Sequence, residues 1–239
     1  MAKRPAVDHR GELPRAQGPS PATPTGAAID LYWLPLGAGG RIVRFNGRAY
    51  EAFVAWRERR PRCELYHAAL EVQVPAGRFV IELAPAWGVP PADRGVVLQG
   101  PVGARWAGRL RLFRYELRRW PNGLIPDAPE AVDSPRRLSE DPVRALQLLA
   151  LAPEVPALVW GRDQLGAGDM WNSNSVIAWL LTRSGHDVDL ILPPRGGRAP
   201  GWDAGLAAAR QNSVDPEQLS AVSSGRPAHR PHRRNSFPA

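Results

Sequence analysis

The alternation of apolar and polar residues predicts a β-sheet along much of this chain. Residues 65–74 and 78–83 alternate in this way on either side of Pro75-Ala76-Gly77, which is typical of a β-hairpin. Shorter runs predict further strands at 29–36, 41–45, 96–98, 110–117 and 188–192. Because the strands are grouped together and helices lie toward the ends, the pattern favours an α+β fold in which an antiparallel sheet packs with a few helices.

Three segments carry helix signals. Residues 49–60 form a short amphipathic pattern that stops at Pro61. Ser139 is a suitable N-cap for a second helix, with Pro142 in the first turn. The third helix is expected over 174–183, where most faces are apolar: Val176, Ile177, Trp179, Leu180 and Leu181. We therefore expect this last helix to be largely buried.

Both ends of the chain lack apolar periodicity and are rich in proline, glycine and alanine. Such segments bury too little apolar surface to offset the loss of chain entropy. We predict a disordered Pro-rich tail over 1–28, a single α+β domain over 29–194 and a mostly disordered Arg-rich tail over 195–239. No apolar run approaches the roughly 20 residues of a membrane span, and residues 1–20 do not resemble a secretory signal. A cytoplasmic protein is expected.

The distribution of net charge and the small number of cysteines and histidines limit which partners and cofactors we expect. The net charge of +8 divides into +2 for residues 1–28, +2 for 29–194 and +4 for 195–239. Since nucleic-acid-binding domains usually carry a basic patch on the folded body, nucleic acid is an expected partner only through loose contacts of the tails. Cys63 is the single cysteine and the histidines are scattered, so we expect neither a metal nor a cofactor.

The most function-like pattern is Asn172-Ser173-Asn174-Ser175 at the start of the buried helix. Backbone N–H groups and the helix dipole at this end could stabilise an oxyanion, and His67 on a strand could serve as a base for Ser173. Glu82 lies on the returning strand. With a turn at Ala76-Gly77 it would face Glu71, roughly 13 Å along the strand from His67.

Each of these residues also has a structural interpretation. Asn172 and Ser173 are ordinary N-cap residues, and Ser175 can bond a free N–H group. His67 could be a half-buried strand histidine, and Glu82 could be a solvent-facing charge.

The combination resembles the circularly permuted NlpC-like papain-fold proteins, the group that includes lecithin–retinol acyltransferase. In that group a strand histidine precedes a polar residue on the next strand, and the Cys of an Asn-Cys motif opens a later helix. The resemblance implies a permuted papain-like domain, in an uncharacterised bacterial branch with Asn-Ser-Asn in place of Asn-Cys. It implies His67 as base, Glu82 as orienting group and Ser173 at the nucleophile position. Further contacts to substrate would come from Asn172, Asn174 and Trp171.

The resemblance implies a hydrolase or acyltransferase that acts on an amide or ester bond of a small-molecule, lipid or peptide substrate. A hydroxyl at position 173 lacks the thiolate route and needs strong help from a base. The alternative is a non-catalytic binding module of the same fold. The two differ in geometry, because catalysis requires the Ser173 hydroxyl to lie within hydrogen-bond reach of His67, directly or through one water.

Overall fold

The computed structural model describes residues 26–36, 55–57, 59–86 and 94–211. Its centre is one antiparallel sheet of six strands: β1 (Ala28–Pro35), β2 (Tyr66–Val74), β3 (Gly77–Pro85), β4 (Val96–Pro101), β5 (Arg114–Pro121) and β6 (Val132–Ser139). The strands lie in the order β4-β5-β3-β2-β1-β6. Together with the helices that pack on it, this sheet confirms the predicted α+β class.

Three α-helices follow the strands in the described part of the chain: α1 (Pro142–Leu151), α2 (Ser173–Arg183) and α3 (Trp202–Gln211). Helix α2 is the centre of the main core, and every residue from 176 to 181 is buried. It covers the face of β2 that carries Tyr66, Ala68 and Leu70. The predicted burial of this helix is therefore confirmed.

The other face of the sheet carries a smaller apolar cluster. Leu34, Ala69, Val80 and Ile125 form its buried part, with Trp120 among the residues packed against it. Successive residues of a strand point to opposite faces. The sheet therefore separates the side chains of β2 into one set beneath α2 and another set in this second cluster.

The predicted hairpin is confirmed, with a different register. The two-residue turn is Pro75-Ala76, so Val74 pairs with Gly77 and Glu71 pairs with Val80, not with Glu82. Gly77 opens the returning strand with a φ of 132°, a conformation that only glycine adopts readily.

Other boundaries also differ from the sequence predictions. Strand β6, which pairs with β1, was not among the predicted strands. Asp141, not Ser139, caps α1, because its carboxylate accepts the Val143 N–H at 2.8 Å. The strand predicted at 188–192 is a single 3₁₀ turn.

The fold continues past the predicted boundary at residue 194. Arg198 forms a parallel bridge with Leu65, and α3 follows. Gly205 lets α3 lie against α2, since a Cβ there would be 2.2 Å from the Ser175 carbonyl oxygen. The predicted strand at 41–45, most of the helix at 49–60 and most of the two predicted tails lie outside the described residues, although 55–57 are helical.

Candidate functional site

Asn172 is the N-cap of α2. Its side-chain oxygen accepts the N–H groups of Asn174 at 2.8 Å and Ser175 at 3.4 Å. The Ser175 hydroxyl accepts the Asn172 N–H at 2.9 Å, which completes a capping box. The Asn172 amide also donates to the Pro200 carbonyl at 2.8 Å. The side-chain oxygen of Asn172 thus accepts within the helix and its nitrogen donates to Pro200, which holds the start of α2 against the segment before α3.

Asn174 closes a gap in the sheet. Strands β2 and β3 pair from Leu70 to Val74 only, so the start of β2 has an edge without a strand neighbour on that side. There the Asn174 amide accepts the Ala68 N–H at 2.7 Å and donates to the Tyr66 carbonyl at 2.9 Å. These two backbone groups flank His67, so the amide takes the place of the N–H and C=O groups of one residue in a neighbouring parallel strand. This residue therefore stabilises the sheet.

Ser173 is the first residue of α2 and is only 7 % exposed. Within the described residues, its hydroxyl is the polar side-chain group of the motif that makes no hydrogen bond. Trp171, predicted to contact substrate, is 1 % exposed and packs in the main core.

His67 lies on the other face of the sheet from α2. Its neighbours Tyr66 and Ala68 point into the main core, while Ala69, two positions along the strand, belongs to the second cluster. Burial lowers the pKa of His67, and the nearby carboxylate of Asp127 partly opposes this shift. No hydrogen bond joins His67 to Ser173 in the part of the chain that the structure describes. The structure thus does not bring the predicted base and nucleophile together.

Glu82 also lies on the second face, but its partner is an arginine. Its carboxylate accepts a 2.7 Å hydrogen bond from Arg118, the residue opposite it on β5. Burial raises the pKa of Glu82, and Arg118 opposes the shift. The acid that acts electrostatically on His67 is Asp127, which the sequence analysis did not single out. Glu82 therefore holds a cation instead of orienting the imidazole.

Arg118 links Glu82 to a second buried acid. Its Nε donates to Glu116 at 2.8 Å, and Glu116 also accepts from Arg94 at 2.6 and 3.0 Å. Two acids and two bases alternate in this network, so their charges balance. With its carboxylates and guanidinium groups already bonded to each other, the network is a structural ion cluster across β3 and β5.

The feature that the sequence analysis missed is the connection between β4 and β5. We define residues 104–114 as the arginine loop. It contains four arginines, and its large apolar side chains are exposed: Trp106 by 73 %, Leu110 by 56 %, Leu112 by 63 % and Phe113 by 41 %. Residues 110–117 were predicted to be a strand, but 3₁₀ turns occupy most of 106–113 and β5 starts at Arg114.

The arginine loop borders an open depression of about 410 Å³. Arg105, Arg109 and Arg114 line it together with four residues that carry no charge: Gln99, Gly100, Pro101 and Gly108. The Arg114 guanidinium donates to the carbonyls of Gly108 and Arg109 at 2.5 and 3.2 Å, and neither neutral acceptor cancels its charge. No ion pair to these three arginines is found within the described ranges. The depression is therefore positively charged.

A larger depression of about 540 Å³ lies beside β1. Three acids line it, with Arg137. Arg137 already pairs with Asp30 at 2.6 Å and with Glu140 at 2.6 Å. Glu71 pairs with Arg78 at 2.7 Å. Because each charged side chain here already has a partner inside the protein, the arginine loop is the stronger candidate for recognition.

Within the described residues, no group of three or more His, Cys, Asp or Glu side chains is placed to hold a metal ion. Among the same residues, no helix is both long and apolar enough to cross a membrane. In comparisons with known proteins, no family model, no curated protein and no solved structure matches this chain.

Proposed function

We propose that this domain is a non-catalytic binding module that holds an anionic partner on the arginine loop. The observation that carries the proposal is the depression lined by Arg105, Arg109 and Arg114. Residues 95–115 contain no acidic residue, so the charge of the loop is not balanced by its neighbours in sequence. Guanidinium groups bind phosphate, sulfate and carboxylate through paired N–H donors, which suits such a partner.

The geometry of the helix start supports binding over acyl transfer. A hydrolase or acyltransferase of the papain type needs its base within reach of the nucleophile. Here no hydrogen bond joins His67 to Ser173 within the described residues, His67 points to the face of the sheet that α2 does not cover, and Glu82 bonds to Arg118. The two asparagines of the motif hold backbone groups in place.

The loop is also preformed, which reduces the entropy lost on binding. The Val102 N–H donates to the Phe113 carbonyl at 2.8 Å and closes its base. The Gly103 N–H donates to the Trp160 carbonyl at 2.9 Å, which fixes the loop to the body of the domain. Gly108 lies against Pro101, where an added Cβ would come within 2.8 Å of the proline ring.

Retention of the full chain on immobilised heparin, a sulfated polyanion, tests this proposal. Reversing two charges of the loop (Arg105→Glu with Arg109→Glu) should lower the salt concentration of elution strongly. The matched control reverses two exposed arginines elsewhere, Arg62→Glu with Arg144→Glu, and changes the net charge equally. If both double variants elute alike, heparin senses only net charge and the arginine loop is not the site.

A further inference from the structure

The identity of the anionic partner follows from the apolar side chains of the arginine loop. Resting on the proposed function, we propose that the partner is the surface of an anionic lipid bilayer. Trp106, Leu110, Leu112 and Phe113 would enter the interfacial layer, and the arginines beside them would bind lipid phosphates.

The exposed apolar side chains of the arginine loop favour a lipid surface. Four large apolar residues lie within eight positions of one loop, and all are more than 40 % exposed. Large apolar side chains exposed together on one loop are typical of interaction surfaces. Leu110 and Leu112 favour a lipid surface over a nucleic acid, because an aliphatic side chain offers no π-face on which a base could stack. A bilayer interface accommodates tryptophan and leucine equally well.

Positive charges are interleaved with these apolar side chains. Arg105, Arg109 and Arg111 alternate along the chain with the apolar residues, as Arg-Trp-Ala-Gly-Arg-Leu-Arg-Leu. Each basic residue near an anionic bilayer surface adds attraction, while tryptophan favours the headgroup level. Arginine also reaches phosphates from a partly immersed position, because its stem is apolar.

The position of the arginine loop at the edge of the sheet also suits contact with a surface. It follows β4, the edge strand of the sheet, and its two short turns lie outside the strand ladder. In a 3₁₀ turn, residues three apart lie on the same side, which places Trp106 beside Arg109. Ala107 is the buried residue of that turn and fixes its inner side. The depression that Arg109 lines therefore lies beside the exposed Trp106.

Co-sedimentation of the full chain with vesicles tests the inference. The probes are vesicles of phosphatidylcholine alone and vesicles of phosphatidylcholine with an equal part of phosphatidylglycerol. Binding is expected to the mixed vesicles. The Leu110→Ser, Leu112→Ser double variant should bind them at least roughly tenfold more weakly, while its retention on heparin stays unchanged. The matched control, Leu190→Ser with Leu192→Ser, alters two equally exposed leucines and should bind like the unchanged protein.

The outcomes separate the two proposals. Equal vesicle binding by both leucine variants would overturn the bilayer inference and leave the binding module intact. Absence of vesicle binding, with tight binding of single-stranded oligothymidine that is lost in Trp106→Ala, would assign the loop to nucleic acid and also overturn the inference. The charge-reversal variant on heparin decides the proposed function by itself, since its readout does not involve lipid.

Discussion

Replacing Asn174 tests whether a side chain completes the sheet. The Asn174→Leu change keeps a similar volume and removes the amide. It leaves the Ala68 N–H and the Tyr66 carbonyl, both buried, without their hydrogen bonds. The Pro200 carbonyl keeps a partner, because the Asn172 amide also donates to it at 2.8 Å.

The expected loss of stability in Asn174→Leu comes from the two buried backbone groups that lose their hydrogen bonds. Each buried polar group without a partner costs about 1–3 kcal/mol, so the free energy of unfolding should fall by about 2–6 kcal/mol. That is a large part of the roughly 5–15 kcal/mol that keeps a domain folded. Asn174→Asp should destabilise at least as much at neutral pH, because it faces the Tyr66 carbonyl with an oxygen and buries a charge.

Urea unfolding followed by circular dichroism measures the effect. The control is Ser173→Ala, which removes the neighbouring hydroxyl that makes no hydrogen bond within the described residues. Its effect should stay below about 1 kcal/mol. Hydrogen exchange adds a local readout, since the Ala68 amide should lose protection in the Asn174→Leu variant. A loss of stability no larger than that of Ser173→Ala, with the Ala68 amide still protected, would refute the role assigned to Asn174.

Four further outcomes are expected. Trp179→Ala empties a position that is 1 % exposed and should cost about 3–5 kcal/mol in denaturant melts; a shift below about 1 kcal/mol would contradict the packing of α2. Arg118→Ala leaves Glu82 buried without its cation and should cost about 3–5 kcal/mol at pH 7. The cost should be smaller at pH 5, because protonation removes the carboxylate charge that burial disfavours. Since burial lowers the pKa of His67 from 6.5, its neutral form stabilises the fold above that pH, and this contribution is lost as the pH falls below 6.5. His67→Gln should therefore lose less stability than the unchanged protein between pH 6.5 and 5, and parallel stability curves would refute this. In Ser173→Cys, the new thiol should react with a small thiol reagent at the same rate whether or not His67 is present, and a strong dependence on His67 would revive the papain-like prediction.

Local signals predicted the elements that depend on local contacts. The hairpin of β2 and β3 and the burial of α2 follow from periodicity within a few residues. Strand β6 could not be found in this way, because Val132–Ser139 is polar, contains Pro135 and pairs with a strand about a hundred positions earlier. Its strand character comes from its partner and not from its own sequence.

In the candidate site, too, some roles could be predicted from the sequence and others could not. The capping role of Asn172 is readable from residue type alone. The face of His67 could have been inferred, since it shares its parity with the polar Glu71 and Gln73 of the same strand. Which face α2 would cover could not be inferred, because the second face also buries apolar residues. In the arginine loop the alternation of Arg and Leu imitates a strand, and only the structure shows that these leucines are exposed.

The edge of β2 has a consequence for synthesis on the ribosome. The Ala68 N–H has no acceptor until Asn174, 106 positions later, has been synthesised. The Tyr66 N–H has no acceptor until Arg198 has been synthesised. A nascent chain that ends before these residues emerge presents an open strand edge, a template for pairing with other chains. Contacts this distant in sequence also form slowly. Productive folding is therefore delayed until most of the chain has left the ribosome, and chains truncated before residue 174 should aggregate through β2.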